Sequence, residues 1–288
     1  MSISDSTPLL TLGALLKQDS PHLEDALHHD AVTARIEVQC LLQAVLGVNR
    51  AYLLTHPERL LTVNETARYG DLFARRLNGE PIAYLLGERE FFGLSFKVTP
   101  ATLIPRPDTE LLVELALQRI PHGGAVLDMG TGSGAIALAI AHERPDALVV
   151  AVDASAAALL VAAENVQRLQ IKNVHLLHSD WFSALSGERF DLIVSNPPYI
   201  EADDVHLELG DVRFEPLSAL ASGEDGLDDI RRILLEAKNH LKAGGWLMFE
   251  HGYNQAARVR GLLQDAGFYC VSSALDLSGI ERVTLGQA

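Results

Sequence analysis

A chain of 288 residues, 48% hydrophobic and 21% charged, carries enough apolar material for one or two folded domains, which excludes a largely disordered protein. Its formal charge of -15, from 38 acidic and 23 basic residues, repels polyanions and favours a basic partner surface, so direct nucleic-acid binding is not expected. The two cysteines, Cys40 and Cys270, exclude a disulfide framework, and without a basic leader or a run of about 18 apolar residues the chain is expected to be cytoplasmic with no membrane partner.

From Thr7 to about Leu86 the chain reads as short amphipathic helices, clearest over Val32 to Leu46, where Ile36, Leu41, Leu42 and Val45 recur at near-helical spacing. Breaks at Ser20-Pro21, Gly47-Val48-Asn49, His56-Pro57 and Gly70 predict about five helices in a small all-α domain over residues 1–86. In Glu90 to Thr99, Phe91, Phe92, Leu94, Phe96 and Val98 partly alternate around Gly93, which predicts a β-hairpin connector within residues 87–105. The rest, residues 106–288, alternates strands with helices. Strands are predicted at Ala125 to Met129, Leu148 to Val152, Val174 to His178, Leu192 to Ser195 and Trp246 to Glu250. Helices are predicted at Thr109 to Arg119, Ala135 to Glu143, Ala156 to Gln170 and Gly226 to Leu241. This rhythm is that of an α/β doubly wound parallel sheet. Phe268 to Ser272 and Arg282 to Gly286 read as added edge strands, and the cysteines fall in what read as a core helix and a core strand.

The strand AVLDM runs into Gly130, Thr131, Gly132, Ser133 and Gly134 and then into the apolar helix AIALAIA. Glycines here permit backbone angles and a close ligand approach that side chains block, at a helix mouth whose amides are expected to face the ligand. The loop alone does not choose its cofactor, because Gly130, Gly132 and Ala135 also fit a dinucleotide fingerprint. Asp153, ending LVVAVD, suits a ribose-binding carboxylate in either reading, with roughly 1.5–3 kcal/mol per charged hydrogen bond; a helix N-cap is the structural alternative. After the third strand, Asp180 suits the exocyclic amine of adenine and Trp181 its ring face. Three strand ends of this kind in succession favour S-adenosylmethionine.

Strand FDLIVS ends in Asn196-Pro197-Pro198-Tyr199, at the sheet edge where ligands bind in such folds. The prolines lack an N–H and stiffen the turn. A planar amide or exocyclic amine offers two N–H donors, which the Asn196 side-chain oxygen and the Pro197 carbonyl can accept while Tyr199 covers the planar face. Aiming matters because an amide nitrogen's lone pair is delocalised, as the rotation barrier of about 18–20 kcal/mol shows. Holding that nitrogen in line with an electrophilic methyl supplies proximity and electrostatic help, with no metal or covalent nucleophile required.

With these motifs the sequence resembles the peptide chain release factor glutamine-N5 methyltransferases, the HemK/PrmC family. The likeness covers nearly the whole chain and includes Ile104 to Glu110, Ser179 to Phe182, Gly210 to Pro216 and Glu281 to Gly286. It implies a helical N-terminal domain that helps to seat a release factor, a hairpin connector and a class I methyltransferase domain. The implied substrate is the glutamine of the Gly-Gly-Gln motif in class I release factors. By position, Gly130 to Gly134, Asp153 and Trp181 are implied to contact the cofactor and Asn196 to Tyr199 to hold the glutamine. For Arg106, Thr109 and Glu110 two expectations stand side by side, closure over the methionine end of the cofactor or structural pairing; Arg213 and Glu215 are expected to stabilise the loop after the tetrapeptide. The eleven histidines show no metal-ligand spacing, and His251 is expected to be structural. The rival readings are an adenine N6-methyltransferase acting on DNA or RNA, a nicotinamide oxidoreductase, and a non-catalytic module that keeps the cofactor fold.

Overall fold

The computed structural model describes residues 10–288, so the Thr7 start of the helical stretch lies outside the described residues. The chain divides into two compact units at Gly87/Glu88.

In the first unit the helices are α1 (Leu12–Leu27), α2 (Ala31–Leu46), α3 (Arg50–Thr55), α4 (Val63–Leu77) and α5 (Ile82–Leu86). Thr11, Asp30, Asn49 and Thr62 each cap a helix by accepting a backbone N–H, a contribution of about 1 kcal/mol apiece. The true breaks are those caps, and two predicted breaks are absent. Helix α1 runs through Pro21 because Leu23 beyond it is fully buried with Leu12, and α4 runs through Gly70 between Tyr69 and Arg76, both buried. Burying a leucine is worth about 1.5–3 kcal/mol, comparable with the roughly 3 kcal/mol cost of an internal proline and above the ~1 kcal/mol cost of a glycine. In α2 the buried face uses Val38, Leu41, Leu42 and Val45, whereas Ile36 is 42% exposed. The unit is further tied by Arg76, whose Nε and Nη2 donate to the two Glu37 oxygens at 2.7 and 3.1 Å, and by the Tyr69 hydroxyl, which donates to Asp19 at 2.7 Å.

The second unit begins with a hairpin of β1 (Glu88–Phe91) and β2 (Leu94–Lys97). It is packed into this unit, since Phe91 and Phe96 belong to the core that covers one face of the main sheet. Then follow α6 (Glu110–Leu117), β3 (Ala125–Met129), α7 (Ala135–Glu143), β4 (Leu148–Asp153), α8 (Ala156–Leu169), β5 (Val174–His178) and β6 (Phe190–Ser195). The chain continues through α9 (Asp228–Ala237), β7 (Leu241–Glu250), α10 (Ala256–Asp265), β8 (Tyr269–Leu275) and β9 (Glu281–Gln287).

The main sheet has seven strands in the order β5-β4-β3-β6-β7-β9-β8. Strands β3 to β7 are parallel to one another, and β9 runs antiparallel to both β7 and β8. Both faces are buried: Val126 and Val194 join the core made with α6 and α7, whereas Leu127 and Ile193 join the core made with α9 and α10. Two sequence expectations are corrected here, and one element is new. The segment Arg282 to Gly286 is an interior strand, because β8 takes the edge beyond it. Cys270 is exposed at φ 51°, within the register shift between Tyr269 and Ser272 on that edge, so it is not a core residue, and Cys40 is half-buried. Helix α10 was not anticipated; its buried stripe is narrow, made by Ala256, Val259 and Leu263.

Strand order reverses between β4-β3 and β3-β6, which opens a crevice at the carboxyl ends of β3 and β6. Met129 pairs with Ser195 and Ser195 with Phe249, so Gly130, Asn196 and Glu250 leave three adjacent strands at one level.

Candidate active site

A cavity of about 380 Å³ lies at this crevice, within the range typical of small-molecule sites. Its walls include Gly130, Gly132, Asp153, Asp180, Trp181 and Asn196, together with Pro198. These come from the ends of β3, β4, β5 and β6.

Gly130 has φ +72°, and a Cβ there would sit 3.6 Å from the Trp181 ring, so the loop and the indole share one narrow space. The glycine loop is held from within. Gly130 and Thr131 donate their N–H groups to the Val152 carbonyl, each at 2.9 Å, and Gly132 donates to Asp153 Oδ2 at 2.8 Å. These amides therefore rigidify the loop, and at the start of α7 the Ala137 N–H donates to Asp128 Oδ2 at 3.2 Å. Thr131, Ser133 and Gly134 are buried and do not line the cavity. The Thr131 hydroxyl donates to Asp128 at 2.6 Å, and the Ser133 carbonyl accepts from Asn165 at 2.9 Å.

Asp153 Oδ1 accepts from the Ser155 N–H at 2.8 Å, and Ser155 caps α8, so Asp153 is not the cap. A carboxylate offers about four lone-pair positions, and two are used, which leaves acceptor capacity for a pair of ribose hydroxyls. Asp180 is more than half exposed and both its oxygens accept from Arg232, at 3.1 and 2.9 Å, so an adenine amine has a competitor there. The cavity size, the unblocked glycine backbone and the remaining capacity of Asp153 fit a nucleoside-bearing cofactor.

In the tetrapeptide, Pro197 is buried and Asn196, Pro198 and Tyr199 are half-buried; Pro197 and Tyr199 do not line the cavity. The turn is clamped on both sides. The N–H groups of Tyr199 and Ile200 donate to the Leu220 carbonyl at 3.1 and 2.9 Å, and Gln255 Nε2 donates to the Tyr199 carbonyl at 2.9 Å. A Cβ at Gly226 would lie 2.2 Å from that carbonyl, so only glycine allows this approach. The Tyr199 phenol is pushed up by burial and by the nearby Glu250 carboxylate.

Arg106 pairs with Glu215, which also accepts the Ile104 N–H at 3.0 Å, and Glu110 accepts the Phe92 N–H at 2.9 Å. Of the two expectations for these side chains, structural pairing is what the geometry supplies. Thr109 differs, because its Oγ1 accepts from Asn196 Nδ2 at 3.3 Å. His251 is fully buried and its Nε2 lies 2.8 Å from Thr284 Oγ1, a structural place.

Sequence reasoning passed over Glu250, Asp128, the wall Ala101–Leu103 and the segment Pro216–Ala219. The first two carried a visible signal: each is an acid at or near the end of an otherwise apolar strand, as Asp153 is.

Residues 107–215 match the model described as "Methyltransferase small domain" and residues 22–87 the one described as "PrmC N-terminal domain". A release factor glutamine methyltransferase of Pseudomonas aeruginosa is 54% identical over 92% of this chain and 96% of its own length. A protein-(glutamine-N5) methyltransferase (release factor-specific) of Alicyclobacillus acidocaldarius is 33% identical, covering 67% of this chain and 98% of that one, with a TM-score of 0.40. A methyltransferase of Pyrococcus furiosus shares the fold, at 20% identity and a TM-score of 0.54 over 76% of this chain and 98% of its own.

Proposed function

Because the chain belongs to the release factor glutamine methyltransferases, we propose that the cavity at the ends of β3 and β6 is where it transfers a methyl group from S-adenosylmethionine to the N5 amide of a release-factor glutamine. The substrate is the glutamine of the Gly-Gly-Gln motif of class I release factors. When bound, the cofactor supplies an electrophilic methyl on a sulfonium.

The observation that carries this reading is the Asn196 amide, hydrogen-bonded through Nδ2 to Thr109 while it lines the cavity beside the glycine loop. Its N–H side is turned to Thr109, which leaves Oδ1 to accept from a substrate amide N–H. The Pro197 carbonyl takes the second N–H, and Tyr199 supports the planar group. Drawing on both N–H bonds offsets positive charge as it develops on the attacking nitrogen. On the cofactor side Asp153 takes the ribose hydroxyls, Gly130 and Gly132 shape the floor with Thr131, Ser133 and Gly134 buried behind them, Trp181 packs on the adenine, and Asp180 with Arg232 borders its amine. The helical unit seats the release factor, and the protein works in the cytoplasm without membrane or direct nucleic-acid contact. No helix among the described residues is long and apolar enough to cross a membrane.

Mass spectrometry of a purified release factor incubated with this protein and S-adenosylmethionine tests the reading. One added methyl on the Gly-Gly-Gln glutamine, lost when that glutamine is replaced, is the expected result. Transfer to nucleic acid but not to the release factor would overturn it.

A further inference from the structure

Glu250 ends β7 beside Asn196 and is 2% exposed, yet its Oε2 has no hydrogen-bond partner. A buried acceptor left in this state is destabilising, and more so when charged, so its retention calls for a reason. The Thr109 and Asn196 side chains lie close enough to the carboxylate to favour its ionised form, and Asn196 Nδ2 donates to Thr109 Oγ1 at 3.3 Å. Buried Thr109 and Glu250 thus flank the half-buried Asn196 on its side away from the cavity.

An asparagine amide has two faces, a donor N–H₂ and an acceptor oxygen, and can turn over to exchange them. Substrate binding as set out above requires the oxygen toward the cavity. Turned over, Asn196 would present N–H₂ to the N–H₂ of the substrate amide, and neither could accept. An ionised carboxylate accepts only, so Asn196 placed against it must direct its N–H₂ inward.

We propose that Glu250, acting with Thr109, is a positioning residue that locks the Asn196 amide with Oδ1 toward the substrate amide. The inference rests on the assignment of Asn196 to substrate binding. The lock works only while Glu250 is ionised, because a protonated carboxyl can donate to Asn196 Oδ1 and so hold the amide the other way. Burial is the main cause that pushes Glu250 up to about 7, with Asp108 raising it and Arg282, Thr109 and Asn196 lowering it. The charged and titratable groups around it are Asp108 before α6, Tyr199 after β6 and Arg282 on β9; Arg282 is itself held by Asp108 at 3.5 Å and Asp276 at 3.0 Å.

The test is the steady-state rate of release-factor methylation from pH 6 to 8.5 for the wild type, Glu250→Gln, Thr109→Val and Thr109→Ser, with cofactor dissociation constants from calorimetry. In the wild type, kcat is expected to rise with pH through an inflection near 7. Glu250→Gln is expected to lose about 10- to 100-fold in kcat at pH 8 and to lose the inflection, with cofactor affinity changed by less than about threefold. Thr109→Val is expected to lower kcat and Thr109→Ser to recover most of that loss, which keeps the test alive should Glu250→Gln not fold. A Glu250→Gln enzyme with the wild-type rate and pH profile, or one whose whole loss lies in cofactor affinity, would overturn the proposal. Wild-type protein that binds cofactor but does not methylate the release factor would instead overturn the substrate reading on which it rests.

Discussion

At the scale of single residues, the site divides into side chains that touch ligands and those that hold them. Asn196→Ala removes one oriented acceptor, and the loss of such a group costs about 10²- to 10³-fold in kcat. Cofactor affinity is expected to stay within a few-fold, because Asp153 and the glycine loop are untouched; calorimetry beside a single-turnover assay separates the two effects. Asp153→Ala is expected to do the reverse. It removes acceptors for the ribose and also the anchors of Gly132 and Ser155, so the cofactor dissociation constant should rise about tenfold or more, at roughly 1.5–3 kcal/mol per charged hydrogen bond. An unchanged constant would remove Asp153 from the cofactor site. Gly130, Asp153 and Asn196 were legible because each sits where an apolar strand stops, a signal local to a few residues. Glu250 carried the same strand-end signal and Thr109 was singled out, but the role of each was not legible, because it lies in their proximity to Asn196, which only sheet register and the path before α6 bring about.

Elements show the same limit on a larger scale. The parallel strands were legible as short apolar runs, since burial on both faces leaves little room for anything else. Pro21 and Gly70 misled because their local cost is offset by the packing of Leu23 and of the Tyr69 to Arg76 turn, which no local rule weighs. The hairpin β1-β2 is joined to the site by one side chain. Asn165 of α8 accepts the Lys97 N–H at 2.7 Å and donates to the Lys97 carbonyl and the Ser133 carbonyl, each at 2.9 Å. Asn165→Ala orphans part-buried backbone groups of Lys97 on the hairpin and a buried carbonyl of Ser133 on the glycine loop. It is expected to cost about 1–3 kcal/mol in urea unfolding and also to weaken cofactor binding, although Asn165 lies outside the cavity wall. Stability loss with unaltered cofactor affinity would mean that Ser133 holds its place without this bond.

The whole molecule has a pH dependence set by its buried charges. Burial pushes both Asp128 and Glu250 up to about 7, from 3.8 and 4.5. Below those ordinary values both states are protonated and the stabilising contribution is fully present; it is lost as pH rises toward and through 7, because the folded chain holds protons that the unfolded chain has already released, and the loss is complete once the folded carboxyls ionise. His251 acts in the opposite sense, since burial lowers its imidazole: its contribution is present above about 6.5 and lost as pH falls. Asp225, held down to about 2 by Arg231, loses its contribution only in acid. The decline with rising pH should therefore stand out between about 6.5 and 8. Both tryptophans, Trp181 and Trp246, lie in the second unit, so their fluorescence during urea titration follows that unit. The midpoint is expected to be lower at pH 8 than at pH 6.5, and Glu250→Gln should raise it more at pH 8, where a buried charge is replaced, than at pH 6.5, where a proton is already present. An equal change at both values would exclude the Glu250 charge as the source. Because the ionised carboxylate is also what locks Asn196, this variant should be more stable and slower at the same pH, with the stability gain and the kinetic loss following the same titration.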